Sequence, residues 1–530
     1  MGPCKPSNLA NNRIQPEGVK ALAAALTPNE QGVFNRSIHT LHLRGAEIGQ
    51  KGHEALVAAL SPNKQGVFNG SLNALDVFGA RGMNVQRAHT LANAAKQRSA
   101  PVKLCGSLLD TESFTRRAPV APSFFTFREA PVAPSIAVDM ILLAHDLVFN
   151  RSLNYLDLGH DSDGSRDEDV PEVVKALVAA LTPNEQGVFN RSLSTLHWRG
   201  VSGEAAQLLA QAVVEHPSLR FFNDIALHEI KGPCSTLTEL DLSGKRFGVS
   251  EALVLSKLLV LNVSVNTLNF EHNNIGPEGA QALAAALTPN AEGLFNGSLN
   301  TLDVCFNGIT GEAAEQLAKA VFEHPCMKVC NTIAMRDLKD DKLTTLDLKG
   351  FPEIGVLEAH MLSEMLSSNA SLNTIINAKG VSLPIGALRR NELTKLDLSG
   401  KDLEPRDAMV LGRALTSNVS LNMLNLSKNS IGDEGANALA MAITPNAKGV
   451  INWSLTKLEL CREPRPFLSL LVFSGSLDML NPFRNEIGDE GAEALAAALT
   501  PNEKGVFNRS LNTLELTSKN THITFDLPIP

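Results

Sequence analysis

The chain has 530 residues, more than one hydrophobic core ordinarily supports, so its length predicts several domains or an extended repeat array. Apolar residues make up 44% and charged residues 19%, which excludes global disorder; with two Trp and one Tyr, the core must be filled by Leu, Ile, Val and Ala. A net charge of −9 leaves no clustered basic footprint, which excludes nucleic acid as a partner.

From the N-terminus, Met1-Gly2-Pro3-Cys4 has no apolar signal region, and Pro6 stands where a myristoylation site needs Ser or Thr. No run of 18 apolar residues exists to span a membrane, so the expected location is cytoplasmic. Asn8 to Ile14 reads as the middle of a repeat, with Asn12 and Ile14 in register, and the chain is therefore expected to be one piece of a longer protein. PEGVKALAAAL, starting at Pro16, spaces its apolar residues as an amphipathic helix, with Glu17 at the positive end of the helix dipole. Pro28 stops that helix, Gly32 permits a turn, and Phe34 is predicted to plug the corner.

Two strands of the form LxxLxL follow, beginning at Ile38 and Leu72, 34 residues apart. The next such start is Leu153, 81 residues on, too far for one repeat. The stretch 98–138 between them is rich in Pro and Ser and reads APVAPS twice, so it is expected to be an insertion or decayed repeats. Further starts fall at Leu193, Leu237, Val265, Leu299, Leu393, Leu421, Leu455, Leu477 and Leu511, with helical segments opening at Pro277, Asp433 and Asp489. Spacings are 28 residues where the corner reads LTSNVSLN and 34 where it reads LTPNEKGVFNRSLN. Short turns with abbreviated helices are predicted after Leu219, Leu372 and Leu455; after the last, Pro464 and Pro466 forbid a long helix. The expected organisation is N-terminal repeats over 1–97, the segment 98–138, and a repeat array over 139–530.

The fullest repeats, Val265-Leu268-Phe270-Asn273-Ile275 and Leu421-Leu424-Leu426-Asn429-Ile431, resemble the leucine-rich repeat. One strand plus one full helix per turn is similar to the ribonuclease-inhibitor-like class, which includes the repeat regions of NOD-like receptors. The resemblance implies an α/β fold: a right-handed solenoid, or horseshoe, with parallel strands on its concave face and helices on its convex face. Geometry agrees, because strands stack about 4.8 Å apart and helices about 8–10 Å, so the helices must take the outer arc.

The position between the last two apolar residues of each strand should face outward from the sheet. It reads His42, Asp76, Asp157, His197, Asp241, Asn269, Asp303, Asp347, Ile376, Asp397, Asn425, Glu459, Asn481 and Glu515, eight carboxylates in fourteen. Asp241, Asp303, Asp347, Asp397, Glu459 and Glu515 are the candidate partner-binding residues, and the stripe would attract another protein with a basic surface. The bland alternative is that LDL is the ordinary spelling of this strand. Arg44 and Arg199, beside His42 and His197, recur as HLRG and HWRG, which duplication of one parent repeat explains equally well.

Asn-x-Ser occurs at Asn35, Asn69, Asn150, Asn190, Asn262, Asn296, Asn369, Asn418, Asn452 and Asn508, as repeat spelling rather than glycosylation sites. Seven cysteines, odd in number and mostly far apart, read as reduced thiols without metal-ligand spacing. No phosphate-cradling glycine loop, nucleophile elbow or zinc-protease motif is present, so neither enzyme activity nor a cofactor is expected. Resemblance implies a scaffold or sensor that binds protein. Two alternatives stay open: the repeat fragment of a NOD-like receptor, and a regulator of a small GTPase similar to the Ran-activating protein. The second would use an arginine such as Arg44, Arg81, Arg199, Arg246 or Arg462.

Overall fold

The computed structural model describes residues 7–8, 14–98, 101–105, 113–115, 136–160, 170–231, 235–351, 355–444, 455, 457–460, 487, 489–499, 513–517 and 522–526. The chain divides into two compact units, one comprising residues 1–237 and 247–262, the other 238–246 and 263–530.

In the first unit, strands Ser7–Asn8, Thr40–His42 and Ala74–Asp76 pair in parallel. A second sheet runs Ser113–Thr115, Tyr155–His160, Thr195–Arg199 and Phe221–Phe222 in parallel, closed by antiparallel Ile225–Ala226. Of the stretch 98–138, Lys103 bridges in parallel to Ala74 and Ser113–Thr115 pairs with Tyr155–Asp157, both strand positions; most of the rest lies outside the described residues.

In the second unit, Glu239–Asp241, Thr267–Asn269, Thr301–Asp303 and Val329–Cys330 form one parallel sheet. Thr345–Asp347 and Thr374–Ile376 form another, with Ser382–Leu383 returning antiparallel. Lys395–Asp397, Met423–Asn425, Lys457–Glu459 and Thr513–Thr517 form a third, with His522–Asp526 antiparallel at its edge. Leu268 stacks on Leu302, and Leu424 on Leu458 and then Leu514, in the register that the repeats predict.

Burial explains the five-position pattern. Val265, Leu268, Phe270 and Ile275 are fully buried, as are Leu421, Leu424, Leu426 and Ile431. The buried Asn of each pattern then satisfies carbonyls where the chain leaves the strand. The Asn273 amide donates to the carbonyls of Leu242 (2.9 Å) and Phe270 (2.8 Å), and Asn429 does the same to Leu398 and Leu426. Helices such as Pro16–Leu26, Gly276–Leu287 and Gly432–Ile443 bury their Ala and Leu face. Packing between them is close: a Cβ on Gly412 would lie 2.7 Å from the carbonyl oxygen of Ala438.

The 34-residue spacing has a local cause. Helix Pro16–Leu26 stops at Thr27, Asn29 Oδ1 accepts the amides of Gln31 (3.0 Å) and Val33 (2.8 Å), and Gly32 turns the chain at φ 74°. Asn63, Asn184 and Asn290 repeat this. The plug expected from the following Phe is complete at Phe189, which is buried, and partial at Phe34 and Phe295.

Sheets end at short turns. After Leu219 and Leu372 the predicted abbreviated helices are Leu227–Ile230 and Ile385–Arg389, and a further one, Met335–Lys339, follows Met327. Asn223 and Asp224, both at positive φ, fold Phe221–Ala226 into a tight hairpin. The returning strand takes the edge that the next repeat would occupy, so parallel pairing stops there. The turn predicted after Leu455 lies outside the described residues.

Candidate protein-binding face

Four carboxylates of the column cap the ends of their own strands. Oδ1 of Asp241, Asp303, Asp347 and Asp397 accepts the amide two residues on, at 3.0, 3.0, 3.0 and 2.9 Å. Asn269 and Asn425 make the same bond at 3.0 Å. The turn bond is therefore made by Asp and Asn alike and does not depend on a charge. Bonds from Ser243 and Ser399 hold the carboxyls of Asp241 and Asp397 below the usual range, so both are anions at neutral pH. Asp241, Asp347 and Asp397 are exposed and Asp303 is half-buried.

The six candidates do not form one unbroken row. Asp241 is opposite Asn269, which is opposite Asp303, so these two acids stand two strands, or about 9.6 Å, apart. That exceeds the screening distance of about 8 Å at physiological salt. Asp347 lies opposite Ile376 in a separate sheet, and Asp397 is separated from Glu459 by Asn425. Glu459 and Glu515 occupy adjacent register positions. Strand Val329–Cys330, which lacks the LxL spelling, further interrupts the column that the sequence suggests.

In the first unit one of the two corresponding acids, Asp76, lies beside basic side chains. Asp76 is buried and lies 3.2 Å from His42 Nδ1 and 3.3 Å from Arg44 Nη2. Arg199 pairs with Asp224 at 2.6 Å. Buried acids elsewhere serve helix starts. Glu251 accepts the Gly248 amide and the Asn223 side chain, Glu358 those of Gly355 and Asn331, and Asp407 those of Glu404 and Asn377.

Six of the Asn-x-Ser asparagines are structural. Asn69, Asn190, Asn262, Asn296, Asn369 and Asn418 are buried, and the amides of Asn69, Asn190 and Asn418 donate to the carbonyls of Leu26, Leu147 and Leu388. An amide nitrogen engaged in the interior cannot carry a glycan in the folded chain. In differently spelled turns His216 and His324 take over the role, their Nε2 donating to the carbonyls of Asn190 (2.9 Å) and Asn296 (2.6 Å).

Sequence reasoning missed one surface feature. His272 and Phe306, at the ends of adjacent strands, stack with centroids 4.3 Å apart and planes 4° from parallel. The available signal was an aromatic residue directly before the ladder Asn in two successive repeats. Among the described residues no group of three His, Cys, Asp or Glu is placed to hold a metal, and no helix is long and apolar enough to cross a membrane. Cys105, Cys305 and Cys330 are buried and Cys326 exposed, all as free thiols.

A family model for the leucine-rich repeat matches residues 8–23, 261–284, 417–440 and 483–496. Over 166 residues the chain is 30% identical to the ribonuclease inhibitor of Mus musculus, an alignment covering 31% of this chain and 35% of the inhibitor. The chain thus spans about a third of the length of that relative. Among solved structures, the tropomodulin C-terminal domain of Caenorhabditis elegans is 17% identical with a TM-score of 0.17, covering 30% of this chain and 82% of that one. An internalin of Listeria monocytogenes is 12% identical with a TM-score of 0.15, covering 85% and 97%. The repeat model and the inhibitor show a likeness to leucine-rich-repeat proteins, and the two TM-scores are too low to add to it.

Proposed function

We propose that this chain, similar in its repeats to leucine-rich-repeat proteins and to a ribonuclease inhibitor, is a non-catalytic module that holds a basic partner protein on its strand-end face. Asp241, Asp303, Asp347 and Asp397, with Glu459 and Glu515, would make the contact. One observation carries this: the turn needs only Asp or Asn, yet ionised and exposed carboxylates recur where Asn269 and Asn425 show that a neutral residue suffices. Charge beyond what the fold requires is available for recognition and for steering association. A protein partner is also what the name of the mouse relative suggests for that protein. The reading takes the repeats as a right-handed horseshoe in the cytoplasm, with the strands on its concave side.

Regulation of a small GTPase is the weaker reading, since Arg44 and Arg199 are already paired with carboxylates. The test is quantitative affinity capture with the native chain and with a double variant, Asp241→Lys and Asp303→Lys, from the cells that make it. The proposal expects a basic protein retained by the first and lost from the second. Equal recovery of every captured protein would refute the face, and acceleration of GTP turnover in a panel of small GTPases would favour the other reading.

A further inference from the structure

We propose that the stacked rings of His272 and Phe306 form a platform for an arginine side chain of the partner protein, with the carboxylates of Asp303 and Glu271 beside it. The proposal rests on the protein-binding reading and specifies one contact within it.

The platform is not explained by folding. His272 and Phe306 each stand directly before a ladder asparagine, with φ of 54° and 56°, as does Lys428 with φ 61°. The left-handed backbone is imposed by Asn273 and Asn307, whose amides reach back to the carbonyls of Phe270 and of Phe270 and Val304 respectively. Gly or Asn adopts such a conformation most readily, and a bulky residue there is an outlier. The fold therefore requires the bend and pays nothing back for an aromatic ring at it. Nor are the rings core: Phe306 is 49% exposed and the His272 side chain 60%. The two half-exposed rings, stacked face to face at the ends of strands Thr267–Asn269 and Thr301–Asp303, cover one face of each other and leave the outer faces of the stack for a ligand.

The surroundings decide what fits. Glu271 Oε1 lies 3.5 Å from His272 Nε2, and Asp303, three residues before Phe306, accepts the Cys305 amide at Oδ1. A guanidinium is planar, permanently charged and weakly hydrated, so it can lie on a ring while its N–H edge meets carboxylates. An ammonium is more strongly hydrated and has no flat face to stack. A nucleobase also stacks on aromatic rings, but its phosphate would meet Asp303 and Glu271 as like charges.

Two capped peptides of equal length, carrying three Arg or three Lys in an Ala background, provide the test by calorimetry on the intact chain. The Arg peptide should bind about two- to fivefold more tightly, the range for an exposed cation–π contact. A His272→Ala, Phe306→Ala variant should lose that preference and keep its affinity for the Lys peptide. Asp303→Asn with Glu271→Gln, which retains the turn bond, should weaken both peptides and preserve the ratio. Equal affinities, a preference that survives loss of the rings, or failure of both peptides to bind would overturn the platform. Tighter binding of adenosine monophosphate than of the Arg peptide would overturn it in favour of a base. Equal, carboxylate-dependent binding of both peptides removes the platform alone and leaves the acidic face standing; loss of that face is read separately in the capture experiment.

Discussion

The side-chain amide of Asn418 donates to the carbonyl of Leu388 at 2.6 Å, tying the corner of one repeat to a helix thirty residues earlier. Its Oδ1 accepts the amides of Ser420 (3.1 Å) and Leu421 (2.8 Å), so a single buried side chain satisfies both polarities of a corner that water cannot reach. Asn369 makes the equivalent bond to Leu338.

Asn418→Ala leaves those groups unpaired and should destabilise the chain by about 1–3 kcal/mol in urea unfolding. Asn418→Asp keeps the acceptor but loses the donor and buries a charge, so it should be at least as damaging. Val419→Ala, at a neighbouring exposed position, should change stability by no more than about 0.5 kcal/mol. Similar midpoints for all three would show that the corner bond does not matter.

Inward and outward assignments are separable in the same assay. Leu424 is fully buried, and Leu424→Ala should cost about 2–5 kcal/mol through the cavity it leaves. Asp397→Asn keeps the bond to the Ser399 amide and should stay within about 0.5 kcal/mol, whereas Asp397→Ala loses that bond and should cost more. A loss at Asp397→Asn comparable to Leu424→Ala would reverse the assignments.

What was legible in the sequence follows from periodicity. Leu268 and Leu424 could be placed because their two repeats bury the same five positions, and the six extra residues of the long corner could be placed because Pro and Gly punctuate them. The hairpin Phe221–Ala226 and the strand Val329–Cys330 could not, because a two-residue strand has no period to read. The column at Asp241 and Asp303 was legible as composition, but its spacing was not. Sheet breaks and interposed asparagines are set by pairing, and they leave these acids two strands apart. The His272–Phe306 stack depends on a left-handed backbone that Asn273 and Asn307 impose through tertiary bonds.

Phe306 offers a direct measure of that backbone cost. At φ 56°, Phe306→Gly should be more stable than Phe306→Ala by about 1 kcal/mol, because only a side-chain Cβ is penalised there. At an ordinary exposed site in extended or helical backbone the order would be reversed. Calorimetric melting of the two variants decides it: a less stable Gly variant would mean that the bend is not strained.

The first unit should carry an unusual dependence on pH. Asp139 and Asp146, on helix Ile136–Phe149, are buried and have their carboxyls pushed up to about 7 by burial. For Asp139 the Gly79 amide and Arg44 pull the other way and Asp76 adds to the push; for Asp146 the amides of Leu104 and Cys105 and the charge of Lys103 oppose it. In the unfolded chain both titrate near 3.9. Between about pH 4 and pH 7 the native state therefore holds more protons than the unfolded one, and stability falls as pH rises through that window. Histidines act in the opposite sense. Burial lowers His145 to about 4 and also lowers His53 and His216, so the unfolded chain takes up protons first and stability falls as pH drops below about 6.5. Asp139→Asn keeps an acceptor for the Gly79 amide, and Asp146→Asn keeps one at the Oδ2 position, which lies 3.0 Å from the Leu104 amide and 2.7 Å from the Cys105 amide, while both remove the titration. The double variant should gain stability over the native chain as pH rises from 4.5 to 7.5 (roughly the window set by those two limits), and the gap should close at the acid end. Urea midpoints that run parallel for the two proteins across that range would show that these carboxyls titrate alike in both states.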